Sequence, residues 1–194
     1  MLKKISITLI LLLLLGCSNT SLENNSLSLK EQLLEEKINN WELDGAENLF
    51  FQISTTLNPK KLDEYENLIS ERQQGVKDLK KLINVLKTAF SKNQFFIIER
   101  YTEKGIKNKI KLNELKNLDL SSGNIYTSSP DFNKTHAKVL TLINFYDDSL
   151  YLDIVFDFKN GQWKIINFNE RGWNIARRRN QNNCSIFFKK SFFN

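Results

Sequence analysis

Histidine and cysteine, the side chains that most often bind metals or act as nucleophiles, are rare in this sequence. Their small number limits the sites that they could form. The chain has one histidine, His136, and two cysteines, Cys17 and Cys184. A structural zinc site takes about four His or Cys ligands, so these three residues cannot supply one. The sequence contains no G-x-S-x-G nucleophile motif and no phosphate-binding glycine loop. We therefore predict no metal site, no cofactor and no catalytic residue.

Two carboxylates, Asp153 and Asp157, fall on the same side of one predicted strand. Four residues of strand separate them by roughly 13 Å, which is too far for the carboxylate pair of a retaining glycosidase and wide for an inverting one. The simplest interpretation of the two residues is a solvated strand face. Several aromatic residues could line a pocket with one of the carboxylates, although such residues more often belong to the core or its rim. The candidate ligand-binding residues are Tyr126, Tyr146, Tyr151, Asp153 and Trp163.

The cysteine at position 17 ends a segment with the pattern of an export signal. Lys3 and Lys4 precede an apolar run from Ile5 to Leu15. This run is too short to span a bilayer, which takes about 20 apolar residues, and it fits the hydrophobic region of a secretory signal. No A-x-A-like cleavage site follows the run, and Leu14-Leu15-Gly16-Cys17 stands in its place.

This tetrapeptide resembles the lipobox of bacterial lipoproteins, with Leu14 at −3, Gly16 at −1 and Cys17 at +1. The resemblance implies that the thiol of Cys17 receives diacylglycerol, that residues 1–16 are removed, and that the new amino terminus is often acylated, for instance with palmitate. Two or more acyl chains hold a protein stably on a bilayer. We therefore expect an exported protein that is anchored through lipid on Cys17 to the cell membrane or to the outer membrane. An uncleaved anchor and a secreted protein with a coincidental cysteine are the alternatives.

Lipidation of Cys17 would leave Cys184 as the one free thiol. No internal disulfide is then expected, although the protein would lie in an oxidising compartment. We therefore expect the exported domain to be held together by packing alone.

The positive charge of the sequence is concentrated at its C-terminal end. The formal net charge is +6, yet residues 17–170 contain 20 basic and 22 acidic residues, whereas residues 171–194 contain six Lys or Arg and no acid. Because the body of the chain is close to neutral, we do not expect it to bind nucleic acid. Three hypotheses stay open for the basic, aromatic tail, residues 172–194: a membrane-contacting segment, a disordered extension, and a reading-frame accident.

The spacing of apolar residues divides the rest of the chain into helices followed by strands. Helical spacing begins near Leu29 and continues to about Phe90, with Asp44 and Glu47 as a capping box and Gly75 as a candidate interruption. Asn160-Gly161 predicts a two-residue hairpin turn between two long strands, and a change of parity after it predicts a bulge near Ile165. This order of elements predicts an α+β fold with N-terminal helices packed on a bent antiparallel sheet.

The hairpin sequence VFDFKNGQWKIINF resembles the C-terminal hairpin of the nuclear-transport-factor-2-like superfamily. The resemblance covers about residues 76–170. It implies a cone-like domain, in which a bent sheet wraps around N-terminal helices and leaves a pocket at its mouth. The enzymes of that superfamily place a His or Asp base deep in the cone, and that role is not transferred to any residue here. The predicted division of the chain is 1–16 signal peptide, 17–28 lipidated cysteine and flexible tether, 29–75 helical lead-in, 76–171 cone-like domain, and 172–194 disordered tail.

Three functions are compatible with these features. The preferred one is a non-enzymatic lipoprotein of the cell envelope that binds a protein or small ligand through its α+β domain. The second is an enzyme that uses a pocket of the cone, with Asp153 and a tyrosine as acid and base. The third is an assembly factor that contacts other envelope proteins through the helices of residues 29–91.

Overall fold

The structure, a computed structural model, describes residues 26–145 and 148–175. The predicted signal peptide, Cys17, Tyr146 and residues 176–194 lie outside the described residues. Helices come first and an antiparallel sheet follows, so the fold is α+β as predicted. The helices are α1 (26–39), α2 (Leu43–Ile53), α3 (Pro59–Ser91), α4 (Phe95–Tyr101) and α5 (Ile106–Lys116), with 3-10 turns at Ser54–Thr56 and Leu120–Ser122. The strands are β1 (Asn124–Thr127), β2 (Asp131–Asn133), β3 (His136–Asn144), β4 (Asp148–Lys159) and β5 (Gln162–Ile175).

The longest element is α3, whose 33 residues span about 50 Å. Asn58 caps its first turn by accepting a hydrogen bond from the Lys61 amide at 3.0 Å, and Pro59 occupies the first helical position, where no amide hydrogen is needed. The helix continues through Gly75 without a break. The predicted interruption at Gly75 is therefore wrong, and the predicted boundary between residues 75 and 76 falls inside one helix.

The start of α2 also differs from the prediction. Glu42 is its N-cap residue and makes no side-chain capping bond, while Asp44 lies inside the first turn. The capping box of Asp44 and Glu47 is therefore wrong. The physical reason is Trp41, which adopts a left-handed backbone conformation with φ of +62° and turns the chain two residues earlier than the capping residues suggest.

The sheet places β3 and β4 in its interior. The order of strands is β1-β3-β4-β5, and β2 pairs with β3 on the same edge as β1. Pro130 lies between these two short strands, where its missing amide hydrogen suits a gap in pairing. His136 pairs with Asn133 on one side and Asp157 on the other, so it lies at the end of an interior strand.

The hairpin of β4 and β5 follows the sequence prediction closely. Asn160 and Gly161 have φ values of +53° and +72°, as a type I′ turn requires, and Lys159 pairs with Gln162 across it. The register shifts beyond Ile165, where Ile166 is the extra residue, so the predicted bulge is confirmed. A second shift leaves Arg171 unpaired next to Gly172.

Buried side chains form two clusters, and one tryptophan of the helical lead-in belongs to the larger of them. The larger cluster lies between the sheet and the helices α3, α4 and α5. The smaller one joins α1, α2 and the N-terminal half of α3, with Leu34, Ile53 and Ile69 among its members. Trp41 belongs to the larger cluster although it follows α1 directly, and it therefore connects the helical lead-in to the sheet.

Candidate functional site: the outer face of the sheet

The two faces of the sheet have different surroundings. Along β4, the residues Leu150, Leu152, Ile154 and Phe156 are buried in the cluster formed with the helices. The alternate residues point to the opposite side because side chains alternate along a strand. We call that side the outer face, and its members on β3 and β4 are Lys138, Leu140, Leu142, Tyr151, Asp153, Val155 and Asp157.

Trp163, one of the predicted ligand-binding residues, lies in the core and not on the outer face. Its indole Nε1 donates a hydrogen bond to the Gly75 carbonyl oxygen at 2.7 Å. Its ring centre lies 4.9 Å from that of Phe158 and 5.2 Å from that of Trp41. A side chain whose polar atom is satisfied and whose ring is enclosed is a core aromatic, which is the more common of the two interpretations that the sequence allowed.

The structure brings three of the predicted residues together on the outer face. Tyr126 on β1 pairs with Leu142 on β3, and Leu142 pairs with Tyr151 on β4. Tyr126, Leu142 and Tyr151 therefore form one cross-strand row. Tyr126 is 54% exposed. Asp153 lies two residues beyond Tyr151 on the same strand and therefore on the same face. The outer face thus combines an aromatic and aliphatic row with a carboxylate beside it.

Asp153 is held by an arginine that the sequence did not connect with it. The Arg171 Nε donates to Asp153 Oδ2 at 2.7 Å, while Asp153 Oδ1 is buried without a hydrogen-bond partner among the described residues. Asp153 is only 8% exposed, so its interpretation as a solvated residue is wrong. Arg171 reaches it from the position of the second bulge, next to Gly172.

Asp157 is also buried, at 3% exposure, beneath two basic side chains. Lys159 Nζ lies 2.6 Å from Asp157 Oδ2, and His136 Nε2 lies 3.6 Å from Asp157 Oδ1. Buried carboxylates are normally accommodated by a paired charge, and the Lys159 ammonium supplies one here. The spacing of Asp157 and Lys159, two residues apart on one strand, was a signal in the sequence for this pair.

The pairing with Asp157 raises the pKa of Lys159, mainly through the hydrogen bond and then through the charge of the carboxylate. Because the raised pKa belongs to the folded state, the pair stabilises the protein below the ordinary lysine pKa, and this contribution is lost as the pH rises through the folded pKa. We expect the Cε resonance of Lys159 to titrate at higher pH than in Asp157→Asn, as measured by NMR on ¹³C-lysine-labelled protein. Asp131→Asn is the control, since Asp131 lies by Lys138; an unchanged Lys159 titration in Asp157→Asn would contradict the assignment.

Two small cavities lie on the core side of the sheet in the described part of the chain. A cavity of about 10 Å³ between α3 and the sheet is lined by apolar residues such as Leu86, Phe90 and Val139. A second cavity, between α5 and the β4–β5 hairpin, measures about 20 Å³. Spaces of this size hold at most about one water molecule. Neither cavity matches the ligand pocket that the predicted cone would have at its mouth.

Residues 26–145 and 148–175 contain no group of three or more His, Cys, Asp or Glu side chains that could hold a metal ion. Among these same residues, no helix combines the length and the hydrophobicity that crossing a bilayer requires.

Comparisons with protein-family profiles, with curated proteins and with solved structures give no match to this chain. The resemblances to lipoproteins and to the nuclear-transport-factor-2-like superfamily therefore stay predictions from the sequence.

Proposed function

We propose that this chain is an exported lipoprotein, anchored through Cys17 to the cell membrane or the outer membrane, and that its α+β domain binds a partner without catalysing a reaction. The anchor is supported by the lipobox-like tetrapeptide at the end of an apolar run of signal length. The binding role is supported by one observation above all. The row of Tyr126, Leu142 and Tyr151 lies on the face of the sheet opposite the helices.

The shape of this surface favours a protein as the partner over a small ligand. Small molecules usually bind in concave pockets of roughly 300–1,000 Å³. The outer face is one side of a sheet, and its carboxylates Asp153 and Asp157 already have basic partners within the chain. Tyrosine is a residue type enriched in protein interfaces, because it combines a large apolar surface with a hydroxyl group. A partner from the cell envelope with an apolar patch and hydrogen-bond acceptors for tyrosine hydroxyls would fit this row.

The geometry gives less support to the pocket enzyme. That alternative needs Asp153 and a tyrosine inside the cone, with the carboxylate free to exchange a proton. Asp153 instead lies on the outer face, and its Oδ2 accepts a hydrogen bond from Arg171. Tyr151 shares the outer face with Asp153, but neither described cavity includes either residue in its lining.

The helical assembly factor is supported by a separate observation. Leu29 and Leu33, one turn apart on α1, and Phe51 on α2 are exposed although they are large and apolar. Exposed apolar side chains on a helical hairpin are typical of surfaces that contact another protein.

A photo-crosslinking amino acid placed at Tyr126 or at Phe51 distinguishes the two surfaces in cells, with Lys87 on α3 as the control position. Crosslinks at residue 51 alone would favour the helical alternative.

Replacing Cys17 with serine tests the anchor. We expect the unaltered chain to incorporate radiolabelled palmitate and to partition into the detergent phase, and we expect Cys17→Ser to lose both properties because serine has no thiol to alkylate. Cys184→Ser is the matched control and should retain both. Retention of label by Cys17→Ser, or loss of it in Cys184→Ser, would show that the lipid assignment is wrong.

A further inference from the structure

The charged side chains of the helices divide into two groups of opposite sign. Residues 26–75 contain five basic and ten acidic residues, whereas residues 76–116 contain eleven basic and four acidic residues. The sign changes inside α3, close to Gly75. The near neutrality of the body of the chain therefore hides a negative helical lead-in and a positive group of helices that follows it.

Two stripes of exposed residues on α1 and α2 combine apolar and acidic side chains. On α1, Leu29 and Leu33 are exposed one turn apart, and the exposed Glu36 lies three residues after Leu33. On α2, two exposed acidic residues lie about one turn and two turns before the exposed Phe51. We call these stripes the acidic surface, and its members are Leu29, Leu33, Glu36, Asp44, Glu47 and Phe51.

The positive group shows the same combination with the opposite charge. Phe96 on α4 is exposed with Arg100 one turn after it, and Ile110 on α5 is exposed with Lys107 one turn before it. A salt bridge between Lys116 and Glu99 joins these two helices. We call the exposed side of α4 and α5 the basic surface, and its members are Phe96, Arg100, Lys107, Lys109 and Ile110.

The charges of the two surfaces are largely not compensated within the chain. Three of the four acidic residues in residues 76–116 already pair with lysines of the same range. In the part of the chain that the structure describes, no salt bridge reaches Arg100, Lys107 or Lys109 on the basic surface, or Glu36 or Asp44 on the acidic surface. Each surface therefore presents charges that a partner of opposite sign can pair.

The two surfaces lie at different parts of α3. The acidic surface follows its first half, where the Tyr65 hydroxyl donates to Glu35 Oε1 of α1 at 2.9 Å and Gln73 donates to Glu47 of α2. The basic surface lies beyond its last residue, because α4 begins after a turn of three residues. From Tyr65 to the end of α3 the helix extends over about 39 Å. One copy can therefore use both surfaces at once, each against a different neighbour.

We propose that copies of this chain associate head to tail, with the acidic surface of one copy against the basic surface of the next. A second copy fits both surfaces, because each has exposed apolar side chains and the charge that the other needs. An anionic membrane would complement the basic surface alone. The contact is heterologous, so it joins copies into a ring or an open chain. The assignment depends neither on lipidation nor on the binding role of the outer face, and it gives the exposed side chains of α1 and α2 an occupant.

Sedimentation velocity tests the association in solution. The sample is residues 17–194 with Cys17→Ser, the chain that signal removal would leave, without lipid. We expect its sedimentation coefficient to rise with concentration. We also expect the dissociation constant to increase at least about tenfold between about 0.1 M and 1 M salt, because the screening length falls from about 10 Å to about 3 Å.

Charge reversal on each surface tests the proposed pairing. Lys107→Glu with Lys109→Glu, and separately Asp44→Lys with Glu47→Lys, should each raise the dissociation constant at least about tenfold, because like charges would then face each other. The chain that carries all four substitutions has opposite charges on the two surfaces again, and it should recover association to within about threefold of the unaltered chain. Circular dichroism checks that each variant is folded.

A matched control separates the surfaces from net charge. Lys30→Glu with Lys60→Glu changes the net charge as much as the reversal on α5 does, but both substitutions lie in the negative lead-in. This variant should associate at least as well as the unaltered chain. Failure of the fourfold variant to recover, or equal weakening by the control, would overturn the proposal.

Two further outcomes would also overturn it. One is an unaltered chain that stays monomeric up to about 1 mM, the weak limit of ordinary affinities. The other is a monomeric chain that pellets with phosphatidylglycerol vesicles and loses this binding in Lys107→Glu with Lys109→Glu. That second result would assign the basic surface to anionic lipid.

Discussion

Trp41→Ala is expected to lower the free energy of unfolding by about 3–5 kcal/mol, the range for loss of a buried tryptophan side chain. Trp41 is 7% exposed, and its ring stacks on Phe132 with the ring centres 4.9 Å apart. It also contacts Phe158 edge-on at 5.4 Å, and its Nε1 donates a hydrogen bond to the Lys134 carbonyl oxygen. The substitution would therefore remove the side chain that joins the helical lead-in to the sheet.

Arg72 adds to the expected cost of removing Trp41. Its guanidinium carbon lies 4.6 Å from the centre of the Trp41 ring, and its Nη1 atom is buried without a hydrogen-bond partner among the described residues. Partial burial of the guanidinium disfavours its charged form and lowers the pKa of Arg72. The aromatic face of Trp41 offsets part of this desolvation through a cation–π contact. Without the ring, the guanidinium would have to move into solvent or stay buried without that contact.

Urea unfolding followed by circular dichroism measures the effect of Trp41→Ala. Phe51→Ala is the control, because Phe51 is 81% exposed on the neighbouring helix and its loss should change stability by less than about 0.5 kcal/mol. We also expect the variant to unfold with two transitions or a smaller denaturant dependence, since the two buried clusters would be coupled less strongly. A loss below about 1 kcal/mol for Trp41→Ala would contradict the linking role.

The second large effect is expected at Gly75. A Cβ atom at this position would lie 3.0 Å and 3.1 Å from two ring carbons of Trp41 and 3.2 Å from a ring carbon of Phe158. Gly75→Leu would force these rings apart and move the carbonyl group that accepts the Trp163 hydrogen bond. Overpacking of a core usually costs about 1–3 kcal/mol, and we expect the upper end of this range because two rings and a buried hydrogen bond are affected together.

A graded series at this position separates packing from helix propensity. Gly75→Ala gains roughly 1 kcal/mol of helix propensity, but its Cβ meets the crowded rings, so we expect a net change near zero. Gln74→Leu, at the preceding exposed position of α3, should change stability little. Thermal unfolding of the four proteins compares them directly. A Gly75→Leu variant as stable as Gln74→Leu would show that the close approach of Trp41 does not constrain this residue.

The hairpin of β4 and β5 was predictable because its signals are local. Asn160 and Gly161 can both adopt positive φ, and the alternation of apolar residues along β4 fixes which side faces the core. The change of parity after Ile165 predicted a bulge, and the structure places the extra residue at Ile166. By contrast, the short apolar run Phe95–Ile98 is compatible with a helix or a strand, and the structure shows helix α4. Short apolar runs lack a distinctive period, so packing decides between the two.

The candidate site was predictable only in part, for a related reason. Tyr151 and Asp153 lie opposite the apolar side of β4, so their common face followed from the sequence. Trp163 pairs with Phe158 between the turn and the first bulge, so the hairpin register places it with the apolar side of β4, among the core aromatics. The contact of Arg171 with Asp153 depends on the second bulge, which lies next to Gly172, a residue with φ of +138°.

The sequence by itself supplied the anchor prediction, which rests on Cys17. It also determined the α+β class and the turn and bulge of the long hairpin. Each of these depends on neighbouring residues and on short-range geometry. Only the tertiary structure showed that Gly75 is a contact point and not a helix break, because its partners Trp41 and Trp163 come from distant parts of the chain. It also decided that the helices fill one side of the sheet and leave Tyr126, Leu142 and Tyr151 on the other. Such contacts arise from the packing of separate segments, and no local pattern of residue types encodes them.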